Sequence, residues 1–145
     1  MFERILNYFK GKNEHAVLNA GKSILVVDDS EVQRTLIKKI FERKSYRVLL
    51  AENGEIGLRI AKDEKPDVIV LDCEMPVMGG LEMCRLLKND SAIANIPIIF
   101  LTSNDTPKNV ISCFEMDASN YLSKPVNAKI LTSQIESTLA EKSSQ

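Results

Sequence analysis

Five short apolar runs decide what this chain can become. They read "ILVVD" (24–28), "RVLLA" (47–51), "DVIVLD" (67–72), "IPIIFLT" (96–102) and "SNYLS" (119–123). Several are apolar at consecutive positions. A strand with one wet face alternates apolar and polar residues; a strand covered on both faces does not, so these runs predict a buried parallel sheet. Between them, apolar residues return at helical spacing: Val32, Leu36, Ile40 and Phe41, then Ile56, Ile60 and Ala61, then Leu81, Cys84 and Leu87. Val110, Ile111 and Phe114 form a fourth set, and Ile130, Ile135, Thr138 and Leu139 a looser fifth. Ser30, Asn53 and Thr106–Pro107 supply helix starts. Five alternations of strand and helix predict a doubly wound α/β domain with a five-stranded parallel sheet and five helices.

A chain of 145 residues has room for one such domain. Its net charge of −1 argues against a polyanion-binding surface, so nucleic acid is not the expected partner. No apolar stretch approaches the ~18 residues of a membrane span, and "MFERILNYFKGK" lacks the apolar core and cleavage site of a signal peptide. The expected location is cytoplasmic. The three cysteines, Cys73, Cys84 and Cys113, lack CxxC spacing and read as reduced core thiols, with Cys73 as inert packing. The single histidine, His15, excludes a multi-histidine metal site and reads as a solvated side chain.

In doubly wound sheets, ligands bind at the carboxyl ends of the strands. Here the first run ends in Asp28-Asp29, the third in Asp72, the fourth in Thr102-Ser103, and the fifth runs into Lys124-Pro125. Three carboxylates gathered on one edge repel one another, and a hard divalent cation relieves that repulsion. Mg2+ takes oxygen ligands and keeps positions open for phosphate oxygens. A lysine adds a point charge for phosphate, a hydroxyl adds a donor, and a carboxylate is a known nucleophile toward phosphorus. The set suits phosphoryl transfer onto an aspartate.

"ILVVDDS", "VIVLDCEMPVMGG", "IIFLTS" and "NYLSKPV", in this order and each at a strand end, resemble the motifs of a two-component response regulator receiver domain of the stand-alone chemotaxis type, with a flavodoxin-like fold. The resemblance covers about residues 21–140. It implies that Asp72 is the phosphoacceptor and one of the metal ligands, Asp29 a direct Mg2+ ligand, Asp28 its water-bridged partner, and the Glu74 main-chain carbonyl a further ligand. It implies that Thr102 is the switch hydroxyl, Lys124 the phosphate-binding lysine, and Tyr121 an aromatic that swaps between outward and buried rotamers. Pro125 resembles a proline that follows a cis peptide bond, here Lys124-Pro125. Met75-Pro76 would turn the chain so that the Glu74 carbonyl faces the metal, and Gly79-Gly80 would supply backbone freedom before the third helix.

Other readings stand beside these. Asp28-Asp29 also suits a helix N-cap, Lys124-Pro125 an ordinary turn, and Tyr121 a plain sheet position. Gly79 stands where the family often has aspartate. Asp117 stands where the family usually has glycine, and aspartate tolerates the left-handed conformation expected there. Gly57 costs roughly 1 kcal/mol in a helix interior unless close packing requires it. Glu74 and Asn104 flank the path of the attacking water in this family. The Glu74 side chain would position that water, reach the metal or face solvent, and the first of these would tune the lifetime of the phosphoryl group. An aspartate-nucleophile phosphohydrolase matches "DCE" in part, and a phosphorylation-independent scaffold is the third class.

Residues 1–20 form an N-terminal extension to a receiver domain at 21–145. Phe2, Ile5, Leu6 and Phe9 make one apolar helical stripe, suited to docking on its own domain, self-association or partner binding. Only "EKSSQ" follows the last helical pattern, so output by protein–protein interaction through about 107–140 is expected. The expected phosphodonor is a sensor histidine kinase, a phosphotransfer protein or a small acyl phosphate, and no enzyme activity is expected beyond self-phosphorylation and self-dephosphorylation at Asp72.

Overall fold

The computed structural model describes Asn19 and residues 21–103 and 106–143. The N-terminal stripe, His15 and Asn104 lie outside the described residues. Strand and helix alternate throughout as β1 (Ser23–Val27), α1 (Glu31–Glu42), β2 (Arg47–Ala51), α2 (Gly54–Glu64) and β3 (Val68–Leu71), then α3 (Gly80–Lys88), β4 (Ile98–Thr102), α4 (Pro107–Glu115), β5 (Asn120–Ser123) and α5 (Ala128–Ser143). All strand pairs are parallel, in the order β2-β1-β3-β4-β5. The order reverses direction at β1 and β3, so the crevice between their carboxyl ends is where such a sheet accepts a ligand.

The consecutive apolar residues of the strands divide by parity between two cores. Leu25, Val27, Ile69, Leu71, Ile98 and Phe100 face one side, with Ala61, Met83, Cys84, Leu87 and Cys113 of α2, α3 and α4. Ile24, Val26, Val68, Val70, Ile99 and Leu101 face the other, with Ile37 and Phe41 of α1 and Leu131, Ile135 and Leu139 of α5. All three central strands are buried along their full length. The edge strands β2 and β5 are only partly covered, which explains their polar residues.

The predicted helix starts are where the chain places them. Ser30 Oγ accepts from the Gln33 amide at 3.3 Å, Asn53 Oδ1 from Ile56 at 2.9 Å and Thr106 Oγ1 from Asn109 at 3.4 Å. Pro107 occupies the first turn of α4, where its missing N–H costs nothing.

The helix faces need correction. In α1 the core takes Ile37 and Phe41, while Val32 is 77% exposed and Leu36 42%. Two apolar stripes one residue apart compete there; Phe41 settles it by packing edge-on against Tyr46, ring centres 5.7 Å apart. In α4 Cys113 is the only buried residue, and Ile111 and Phe114 face outward. In α5 Ile130 is exposed and Leu131 takes the inward position.

Glycine at 57 does serve close packing, since a Cβ there would lie 2.9 Å from Val27 Cγ2 and 3.0 Å from Met83 Sδ. Asp117 takes the expected left-handed conformation, φ 61°. All three cysteines are buried free thiols.

Candidate functional site

The carboxyl edge is built by strand ladders that continue one residue beyond the strands. Asp28 N donates to Ala51 O at 3.1 Å, and Asp72 N to Val27 O at 3.0 Å. Both aspartates are thereby fixed by main chain, at 2% and 6% exposure. Beside them β4 ends in Thr102, which is buried, and the Lys124 amide donates to Thr102 O at 2.9 Å. The Lys124–Pro125 peptide is cis, as the resemblance implied.

Carboxylate oxygens of Asp28, Asp29 and Asp72 lie within 4.8 Å of one another. Asp29 is exposed, and the other two are buried. Lys124 Nζ spans the buried pair, 2.8 Å from Asp28 Oδ2 and 3.2 Å from Asp72 Oδ2. The remaining oxygens are also engaged: Asp28 Oδ1 accepts from the Ser30 amide at 2.9 Å, and Asp72 Oδ1 from the Glu74 amide at 3.4 Å. The site therefore joins the entry to α1 to the acidic crevice. Asp28 serves the start of α1 and the crevice together.

Burial raises the pKa of the Asp72 carboxyl, and the neighbouring Asp28 adds to the rise, against the pull of Lys124 and of hydrogen bonds from Lys124 and Thr102. Burial alone would lower the pKa of Lys124, but Asp28 and Asp72 outweigh it and leave the pKa raised. The ammonium is thus held charged by two acids.

The loop after Asp72 shows what its glycines do. Gly79 has an ordinary φ of −76°, so conformational freedom is not its role. At Gly80 a Cβ would lie 1.9 Å from the Asp72 carbonyl oxygen, and at Gly54 one would lie 2.7 Å from Met78 O. Space for the acceptor loop explains both glycines. The positive φ falls instead on Val77, at 69°, inside a tight turn closed by the Met78 amide on Pro76 O at 2.8 Å.

The structure thus brings together Asp28, Asp29, Asp72, Thr102 and Lys124. Glu74 is exposed at the rim, with its amide on the acceptor. Tyr121 is half-buried on β5, paired in register with Phe100. Sequence reasoning missed Arg34, whose Nη1 donates to Asp28 O at 2.7 Å and ties α1 to the crevice. No spacing rule marks that residue, because the bond goes to a main-chain oxygen.

Residues 24–136 match the response regulator receiver domain. The chain belongs to that family. It is 36% identical over 117 residues to Protein PilH of Pseudomonas aeruginosa, a match covering 81% of this chain and 97% of that protein. It is 37% identical over 119 residues to the phosphate regulon transcriptional regulatory protein PhoB of the same organism, covering 82% of this chain and 52% of that one. The receiver domain spans about half the length of that and other curated relatives. Among solved structures it resembles the chemotaxis protein CheY4 of Vibrio cholerae, with a TM-score of 0.77 and 29% identity, over 82% of this chain and 99% of that one. A CheY-like receiver domain protein from Methanospirillum hungatei gives a TM-score of 0.80 at 27% identity, over 85% and 97%. Membership implies phosphorylation on an aspartate, magnesium at an acidic pocket, and traffic with histidine kinases or phosphotransfer proteins. Three clustered carboxylates are the hard oxygen donors that magnesium selects, so the residues present fit the ion. Among the described residues no helix is long and apolar enough to cross a membrane.

Proposed function

We propose that this receiver domain is a phosphorylation-controlled switch with Asp72 as its acceptor. The observation that carries the reading is the placement of Lys124 Nζ between Asp28 and Asp72, with Asp29 alongside. Asp72 is fixed at the crevice, flanked by the cation and the hydroxyl that a phosphoryl group needs. Its carboxylate attacks the phosphorus of a phosphohistidine, on a sensor kinase or phosphotransfer protein, or of a small acyl phosphate. The donor's bond to phosphorus breaks and its electron pair leaves with the donor. Asp28, Asp29, Asp72 and the Glu74 carbonyl would hold magnesium, which when bound supplies positive charge to the phosphoryl oxygens. Lys124 and the Thr102 hydroxyl hold the product's oxygens, and Tyr121 follows Thr102.

The signal is a shift between two packings, bounded by their differential affinity for the phosphoryl group. The 107–140 surface reports it by protein–protein contact. Its exposed Ile111, Phe114 and Ile130 are apolar side chains available to a partner. Glu74, at the rim, sets the lifetime of the phosphoryl group by positioning the attacking water. Intact mass after incubation with acetyl phosphate tests the reading. A magnesium-dependent phosphoryl adduct is expected in wild type and absent from Asp72→Asn. An adduct that survives in Asp72→Asn would overturn the assignment, and equal decay in Glu74→Ala and wild type would remove the role given to Glu74.

A further inference from the structure

Cys73 directly follows the acceptor and Cys113 lies in α4, 40 residues on, yet their sulfurs are 3.6 Å apart. Cys113 is completely buried and is the only residue of α4 that is fully so, with Asn109, Val110 and Ser112 half-buried. The helix nearest the expected output surface therefore has one fully buried anchor, and that side chain is a thiol in contact with a thiol beside Asp72. We propose that Cys73 and Cys113 form a reversible disulfide that locks α4 to the acceptor loop.

A disulfide brings its sulfurs to about 2.05 Å, so the pair must close by roughly 1.5 Å, a shift that side-chain rotation in a lightly anchored helix can supply. The packed pair is shielded. Reaction goes through local opening of α4, which is cheap because only one fully buried side chain opposes it. The oxidant is a small-molecule disulfide. One protein thiolate attacks it, giving a mixed disulfide and releasing one thiol; the second protein thiolate then displaces the other. Two protein thiols lose two hydrogens, and the oxidant becomes two thiols. Cys84, whose sulfur faces Met116 O at 3.9 Å, takes no part. The bond joins the loop that carries Asp72 to the element that the phosphoryl signal must move. The lock's effect on signalling rests on the switch reading above; formation of the bond does not.

The test treats the full chain with oxidised glutathione under native conditions, then maps peptides and measures hydrogen exchange. Loss of two hydrogens, reversed by dithiothreitol, is expected in wild type and Cys84→Ala, and no intramolecular bond in Cys73→Ala or Cys113→Ala. The amides of α4 should exchange at least about tenfold more slowly in the oxidised form, as the anchored helix opens less often. A bond that includes Cys84, a chain that stops at the mixed disulfide, or α4 exchange unchanged by oxidation would each overturn the proposal. Acetyl phosphate labelling in both redox states separates the two readings: absence of an adduct from reduced and oxidised protein alike counts against the acceptor reading and leaves the disulfide result standing.

Discussion

Lys124 holds two buried carboxylates at once, so replacing it exposes what each would do alone. Lys124→Met leaves Asp28 and Asp72 facing each other without a cation, and in metal-free buffer it should cost roughly 3 kcal/mol at neutral pH. Part of that loss should return as pH falls and one acid takes a proton; urea unfolding at several pH values with a chelator present measures both. Asp72 carries its own sign. Its folded-state pKa is raised, so its contribution is fully present below the ordinary carboxylate value of 3.8 and is lost as pH rises through the raised value. Asp72→Asn removes that loss while Lys124 keeps its 2.8 Å bond to Asp28, so this variant should be more stable than wild type at pH 7 without metal, as read by the unfolding midpoint. Val77 presents the opposite case, a β-branched residue at φ 69°. Val77→Gly should stabilise by about 1 kcal/mol, because relief of strain exceeds the added freedom of the unfolded chain; an unchanged or lower midpoint would show that the turn is not strained.

At the scale of the element, α1 discriminates between two stripes that its sequence leaves nearly equivalent. Ile37→Ala should cost about 3 kcal/mol by opening a cavity, whereas Leu36→Ala should stay within about 0.5 kcal/mol; thermal unfolding of the two variants checks the assignment. The strands were legible because burial on both faces leaves an unmistakable mark, and their ends were legible because Asp28, Asp72 and Thr102 interrupt it. Helix faces were less so. Val32, Leu36 and Ile40 keep as good a period as Ile37 and Phe41, and the choice depends on Tyr46, beyond the helix itself. The glycines at 79 and 80 looked like hinge residues from sequence, but the clash that a Cβ at Gly80 would make with the Asp72 carbonyl is a three-dimensional fact that no local pattern encodes. Arg34 stayed hidden for a related reason, since its partner is a backbone oxygen.

At the scale of the molecule, a bound cation reports on folding. If Asp28, Asp29 and Asp72 hold magnesium only when the sheet brings them together, magnesium should stabilise the folded state by about 2.7 kcal/mol at a hundredfold excess over its dissociation constant. Asp28→Asn with Asp29→Asn should abolish that gain, which a thermal shift with and without magnesium measures. The architecture has one more consequence. Neighbouring residues of each central strand belong to opposite cores, which share a sheet but no side chains. The sheet is a partition wall with separate furnishings on either side. Core residues of the α1–α5 side can be exchanged, parity kept, without repacking the α2–α4 side, provided that Ser30 and Arg34 keep their bonds to Asp28 on the wall's rim. The 107–140 face draws α4 from one room and α5 from the other, so it is the place where the two sides must be read together.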